Sequence, residues 1–322
     1  MKIEIRKPMA VTAPNSSSSS FSSSRSCSSS KESTTIVLPV RDYDLAATLD
    51  SGQAFRWQPA GHTWSGVVGR RWVRLTQVAG GIHAETAEPV ADWQWLRDYL
   101  QTEVDLEVVL KLFPDDEPMR SAIAACRGLR VLRQDPWECL ASFILSSNKQ
   151  IVQIRQIIAL LCERFGEPLN LPPTAIHPTT GGNTGSFCFP TPQCIVAATE
   201  AGLRACKMGF RAPHLLAAAR RIADGQWDLE RPRYLPLAEA RAELMHLAGV
   251  GGKIADCVLL FAYGFDSAFP VDVWVERALR RLYFQRRRPT AKHLRRFAAT
   301  HFGPHAGYAQ QYLFHYMRTK LK

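Results

Sequence analysis

The sequence predicts an α+β protein in which an antiparallel β-sheet comes first and an all-helical part follows. Three observations carry this expectation. Residues 36–87 alternate large apolar and polar side chains with glycine turns between them, most clearly in WSGVVGRRWVRLTQVAGGIHAET. Beyond about residue 92, apolar residues recur at helical spacing instead. At Asp135, Pro136 and Glu138 stands a full helix start signal: an N-cap, a proline at the first helical position and a capping-box acid.

Taken in order, residues 1–35 are serine-rich, with SSSSSFSSSRSCSSS at 16–30, and carry almost no core-forming side chains. They are expected to be a disordered tail, dispensable for chemistry and without the amphipathic helix of a transit peptide. Residues 36–134 form the β-rich N-terminal domain. Gly80-Gly81 marks a hairpin turn, and the helical runs ADWQWLRDYL, LEVVLKLF and EPMRSAIAACRG close the domain. Residues 135–322 read as helices joined by loops. In the first of them Trp137, Leu140, Ala141, Ile144 and Leu145 follow a helical period. The Pro/Gly/Thr-rich stretch 167–192 is the longest loop.

A chain of 322 residues is long enough for two compact units and a tail. No apolar run is long enough to span a bilayer, so no membrane association is expected. The N-terminus lacks the charged-then-apolar pattern of a secretory signal. Eight cysteines occur without a CxxC, and Cys188 and Cys194 match no common ligand spacing, so no metal and no disulfide framework are expected. An intracellular, reducing compartment follows. The formal charge is +11, and it is concentrated: Val273 to Lys322 holds twelve lysines and arginines against one acid, Glu276. Such a run is either a solvated helix face or a surface for phosphate, and its clustering favours phosphate.

The chemistry is concentrated in LAGVGGKIADCVLLFAYGFDSAFPVDVW, Leu247 to Trp274. It reads as a helix, a glycine hairpin and a second helix that opens with Lys253. Gly249, Gly251 and Gly252 are expected to allow positive φ and to bare backbone N–H groups, an anion site suited to a phosphate oxygen. An uncharged lysine is a nucleophile. An ordinary lysine loses its proton near pH 10.4, so neutrality at about pH 7 needs about 4 kcal/mol of bias against the ammonium. Burial, nearby cations and the positive end of its own helix supply bias in that direction. Asp272 follows Pro270, caps the next helix and offers a fixed carboxylate that can stabilise developing positive charge or relay protons. Its negative charge also opposes neutralising Lys253. On spacing alone, a lysine in this place is equally a solvated surface residue.

This stretch resembles the helix-hairpin-helix, Gly/Pro and Asp motif of a DNA glycosylase superfamily. SGQAFRW at 51–57, DPWECLASFILSSNKQ at 135–150, MGFRA at 208–212, PVDV at 270–273 and GPHAGYAQQYLF at 303–314 occur in the same order in 8-oxoguanine DNA glycosylases. The resemblance covers residues 40–318. It implies a β-sheet domain followed by a helical helix-hairpin-helix glycosylase domain. It also implies double-stranded DNA containing 8-oxoguanine as partner, and a bifunctional glycosylase and abasic-site lyase. No dissociable cofactor is implied, because lysine and DNA supply the chemistry, and the four-cysteine cluster of some relatives is absent because the last cysteine is Cys257. No partner chain is visible, so a monomer is expected.

By the same resemblance Lys253 attacks C1′ and forms a Schiff base, and Asp272 assists. Phe314 and Cys257 sandwich a flipped purine, Gln310 reads its Watson–Crick edge, and the Gly52 carbonyl accepts from the N7 hydrogen that marks the lesion. Asn148 and Arg211 read the estranged cytosine, and Gly249 and Gly251 grip the backbone. Phe210 stands where the family has a tyrosine wedge, Gln153 near a second cytosine-reading arginine with Arg155 two positions on, and Trp274 where relatives have a phosphate-contacting histidine. The Gln153 departure implies a looser choice of opposite base, and the Trp274 departure bears on one phosphate contact and not on the reaction. Two other readings fit part of the pattern. An alkylated-base glycosylase shares the plan but generally lacks the lysine, and a non-catalytic DNA-binding module needs neither Lys253 nor Asp272.

Overall fold

The computed structural model describes residues 32–172, 175, 186–284 and 289–319, with Ala291 described in its backbone alone. The serine-rich run, part of the 167–192 loop, and Arg286, Arg287, Arg288, Lys320 and Lys322 of the basic cluster lie outside the described residues. The described residues from Glu32 to Thr319 form one compact unit.

The first strand, β1 (Ser33–Pro39), begins within the segment read as tail, its first three residues lying there. Three strands come from the long alternating run, β3 (Thr63–Val68), β4 (Arg71–Val78) and β5 (Gly81–Val90), and the short β2 (Gln58–Ala60) precedes them. They form one antiparallel sheet in the order β1-β5-β4-β3-β2. Strands β4 and β5 pair from Val73↔Thr86 to Val78↔Gly81. The two-residue turn between them is Ala79-Gly80, with Gly80 at positive φ, so Gly81 belongs to the strand and not to the turn.

One face of the sheet is covered by two helices. Leu38, Val73, Leu75, Ile82 and Ala84 pack with Leu45 and Leu49 of α1 (Leu45–Asp50) and Leu96 and Leu100 of α2 (Gln94–Leu100). Helix α1 is too short to declare itself by period; its mark in the sequence is the N-cap Asp44, whose side chain accepts from Ala47 N–H. Helices α3 (Leu106–Lys111) and α4 (Glu117–Cys126) follow where the helical runs place them.

Helix α5 (Pro136–Leu145) begins at the expected N-cap: the Asp135 carboxylate accepts from Glu138 N–H at 2.8 Å. The reciprocal half of the expected capping box does not form. Glu138 turns away and pairs with the buried Arg56 at 3.2 Å, because an interior guanidinium needs a counter-charge more than an N-cap amide needs a second acceptor. The five positions read as the core face of α5 are all buried, and so are Cys139, Ser142 and Phe143 between them. This helix is enclosed on every side.

Helices α6 (Ile151–Phe165), α9 (Arg211–Ala223) and α11 (Gly252–Val258) pack on it, while α7 (Pro192–Ala197) and α8 (Glu200–Leu203) contact α9 and α10 (Leu237–Met245) contacts α11. Helices α12 (Val273–Tyr283), α13 (Ala291–His301) and α14 (Ala306–Thr319) complete the helical part. Helix α11 continues through Tyr263 as a π-turn. The segment 51–57 is tied to the strand-like stretch 130–134 by Gln53. Its side chain accepts from Leu132 N–H and donates to the Arg130 and Thr48 carbonyls.

Candidate active site

Lys253 and Asp272 line one narrow cavity of about 40 Å³, together with Gly52, Phe143, Cys257, Phe261, Pro270, Gln310, Gln311 and Phe314. Larger clefts open elsewhere, for instance about 340 Å³ beside Trp95 and Arg133. Lys253 and Asp272 are not among the residues lining that cleft, so chemistry and not size selects the small cavity. Six of the residues expected in the site thus come from four separate stretches of chain to one point.

The local reasons are visible. Lys253 and Cys257 lie one turn apart on α11, as do Gln310 and Phe314 on α14, so each pair shares a helix face. Gly52 has φ +79°, and a Cβ there would come within 2.8 Å of Ile151 and 3.4 Å of the Phe314 ring. Only glycine lets the 51–57 segment run this close to the cavity. Asp272 caps α12, its carboxylate accepting from Val275 N–H at 2.8 Å. Both the helix start and the site therefore depend on the same oxygen pair.

The electrostatics are those of a closed site. Burial raises the Asp272 carboxyl above the usual aspartate range, against the opposing effects of backbone hydrogen bonds from Val275 and Trp274 and the charge of Lys253. Burial likewise pushes the Cys257 thiol up to about 12, so the group beside the lysine is a neutral thiol. The Lys253 amine sits 5.0 Å from the centre of the Phe143 ring and makes a long 3.5 Å contact with Ser146 Oγ. Gln310 is 4% exposed, and its Oε1 is buried without a hydrogen-bond partner among the described residues. An unmade hydrogen bond in a cavity wall is costly unless a ligand completes it.

A second group gathers beside the first. Asn148 adopts the left-handed conformation, φ +53°, between α5 and α6. The buried Arg211 donates to the Ser147 and Met208 carbonyls, and its guanidinium lies 4.2 Å from the centre of the Phe210 ring. Phe210 is 53% exposed. An aromatic ring held out on a cationic base is a suitable wedge for a base stack. His214 meets Phe210 edge-on at 6.3 Å and also abuts Gly249, so the exposed Phe210 ring and the glycine hairpin adjoin.

The hairpin corrects one expectation. Gly249 alone has positive φ, +80°, and a Cβ there would come within 2.7 Å of His214. Gly251 is the extended N-cap of α11, with φ −96°, and neither it nor Gly252 has any atom within reach of an added Cβ. Their missing side chains leave open space in front of the backbone instead of enabling a turn. The basic C-terminal cluster is also less uniform than its sequence. Arg280 pairs with Glu276 and Arg318 turns inward to Asp50, while Arg277, Lys292, Arg295 and Arg296 face outward. Gln153 caps α6 by accepting from Gln150 N–H, and Arg155 pairs with Asp50.

A model of the 8-oxoguanine DNA glycosylase N-terminal domain matches residues 35–140, and a model of the HhH-GPD superfamily of base excision DNA repair proteins matches residues 141–304. The chain belongs to the 8-oxoguanine DNA glycosylase family. A solved structure of MBOgg1 in complex with a low-affinity DNA ligand is 32% identical, covers 91% of this chain and 98% of that one, and superposes with a TM-score of 0.82. The Clostridium acetobutylicum 8-oxoguanine glycosylase/lyase, solved with double-stranded DNA containing cytosine opposite 8-oxoG, is 29% identical over 89% of this chain and 99% of that one, with a TM-score of 0.79. A probable N-glycosylase/DNA lyase of Methanothermobacter thermautotrophicus is 28% identical over 87% of this chain and 95% of its own length.

Among the residues of this glycosylase that line or support the cavity, sequence reasoning missed Phe143, Ser146, Gln311 and Asp50. Phe143 and Ser146 lie within or just beyond a helix read as core, and nothing in their spacing separates a cavity wall from packing. Gln311 had a signal, a second glutamine beside Gln310. Trp274, in place of the family's histidine, carries the Arg277 guanidinium 5.3 Å from its ring centre.

Proposed function

We propose that this chain removes 8-oxoguanine from double-stranded DNA and then cleaves the strand at the abasic site, acting as a monomer wherever the cell keeps the DNA it repairs. The observation that carries the reading is the convergence of Lys253, Asp272 and the unpartnered Gln310 Oε1 on one cavity. The damaged nucleotide leaves the stack, the purine enters between Phe314 and Cys257, and the Gly52 carbonyl accepts the N7 hydrogen that guanine lacks. Gln310 meets the Watson–Crick edge. On the other side, Phe210 fills the gap while Asn148 and Arg211 face the estranged cytosine. Gln153 and Arg155 already have other partners, which favours a looser choice of opposite base. The hairpin from Gly249 to Gly252, turned at Gly249 and open in front of Gly251 and Gly252, meets a phosphate.

The covalent sequence is one of lysine chemistry. The Lys253 lone pair attacks C1′ as the bond to the base breaks; that bond's electrons leave on the base nitrogen, and the proton shed by the newly formed C1′–ammonium neutralises them. The ionised Asp272 stabilises the positive charge that builds on the sugar. The sugar ring opens to a Schiff base with Lys253. Loss of a C2′ proton then expels the 3′ phosphate, and water hydrolyses the imine to free the enzyme. Borohydride reduction of the imine on a duplex with one 8-oxoguanine opposite cytosine is the test. A lesion-dependent covalent adduct is expected, with none for Lys253→Gln. Base release by Lys253→Gln at the wild-type rate would remove the nucleophile from this account.

A further inference from the structure

We infer that Asp50 is a positioning residue for lesion recognition, holding the Gly52 carbonyl at the cavity through a clamp closed by Arg155 and Arg318. The inference rests on the reading of Gly52 given above. A glycine has no side chain by which neighbours can hold it, and in the left-handed conformation it is among the least constrained residues in a chain. Yet an acceptor that tells an N7 hydrogen from a lone pair must be placed within hydrogen-bond tolerance. The restraint must come from the residues beside it.

Asp50, the last residue of α1, supplies that restraint. Its Oδ1 accepts from Arg155 of α6 at 2.8 Å, and its Oδ2 accepts from Arg318 of α14 at 2.9 Å. Arg318 also donates to the Asp50 main-chain carbonyl, and Gln311 of α14 donates to the next carbonyl, Ser51, at 3.0 Å. The two peptide groups leading into Gly52 are thus fixed to the helix that carries Gln310 and Phe314. The carboxylate fixes them as well to α6, whose Ile151 packs directly on Gly52. The Arg318 guanidinium lies 5.8 Å from the Phe314 ring centre, so one side chain registers both the recognising carbonyl and the stacking ring. Arg318 is largely buried, and without Asp50 its charge is left unpaired at the cavity edge.

The test separates recognition from catalysis. Asp50→Asn keeps the shape of the side chain and removes the charge that binds both arginines. Single-turnover base release is measured on a duplex with 8-oxoguanine opposite cytosine, beside strand cleavage of a duplex with a preformed abasic site, which holds no base to position. Binding of 8-oxoguanine and guanine duplexes is compared in the same buffer. The clamp predicts release slowed about 10-fold and a binding preference reduced by a similar factor, as expected for a small misplacement. Abasic cleavage stays within about 2-fold of wild type. Unchanged release overturns the inference, and so does an equal loss of both activities, the signature of a merely structural role. Should Asp50→Asn fold poorly, Arg318→Lys asks the same question, since its single ammonium cannot reproduce the planar guanidinium fork that spans carbonyl and carboxylate. A wild-type protein without preference for the lesion duplex sinks the reading of the site itself, an outcome distinct from failure of the clamp.

Discussion

At the scale of single residues, the site shows which side chains do more than one thing. Asp272 caps α12 and lines the cavity, where the proposed reaction sets it against the sugar, and the two roles can be separated. Asparagine caps a helix as well as aspartate does, so Asp272→Asn is expected to keep the melting temperature and lesion binding while base release falls about 100-fold. Because burial raises the Asp272 carboxyl and the proposed reaction uses its ionised form, activity is expected to be lost on acidification at a higher pH than an ordinary aspartate would give. A pH–rate profile in single turnover displays this acid limb, and Asp272→Asn abolishes it. Gln310 makes the complementary case. Its unpartnered Oε1 is a standing cost in the free protein, so Gln310→Met is expected to raise thermal stability by about 1 kcal/mol while weakening preference for the lesion duplex. Stability that falls alongside binding would assign Gln310 to packing.

At the scale of the elements, the hairpin between α10 and α11 divides labour between glycines of identical appearance. Gly249 is required by the backbone: a side chain there meets both positive φ and the His214 ring. Gly249→Ala is expected to cost about 1–2 kcal/mol in urea unfolding. Gly251 is extended and open in front, so Gly251→Ala is expected to unfold like wild type yet bind DNA less tightly, because the new methyl group occupies the space before the exposed N–H groups. Affinities are compared at one salt concentration, since phosphate contacts make them strongly salt-dependent. Equal stability of the two variants would show that positive φ is not what the hairpin requires.

At the scale of the whole molecule, the sheet and the helices are joined by polar links inside the protein. Arg56, 4% exposed, leaves the 51–57 segment to pair with Glu138 on α5 and to donate to the Phe187 carbonyl. Burial raises the Glu138 carboxyl, and the Arg56 charge opposes that effect. Arg56→Ala strands a buried carboxylate and is expected to cost about 3–5 kcal/mol at neutral pH, read as a lower urea midpoint. Removing both partners together, with Glu138→Gln, is expected to cost less than the sum. The outward cations of α12 and α13 add a field along the same molecule that draws phosphate without reading sequence.

Much of this was legible in the sequence because it is local. The alternation within 36–87, the N-cap at Asp135, the helical spacing of Gln310 and Phe314, and the order of glycine hairpin, lysine and aspartate depend only on neighbours in the chain. Even here the limits are local ones: Gly80-Gly81 and the three hairpin glycines look alike in letters, and only φ and the surrounding atoms tell a turn from an open approach. What the tertiary structure alone decided is which residues face one another. Glu138 left its capping box for Arg56, Arg318 left the basic C-terminal cluster for Asp50, where Arg155 of α6 joins it, and Phe143 and Ser146 came to flank Lys253. Each outcome turns on a buried charge or cavity finding its partner across a distant stretch of chain, and no periodicity in the sequence encodes that distance.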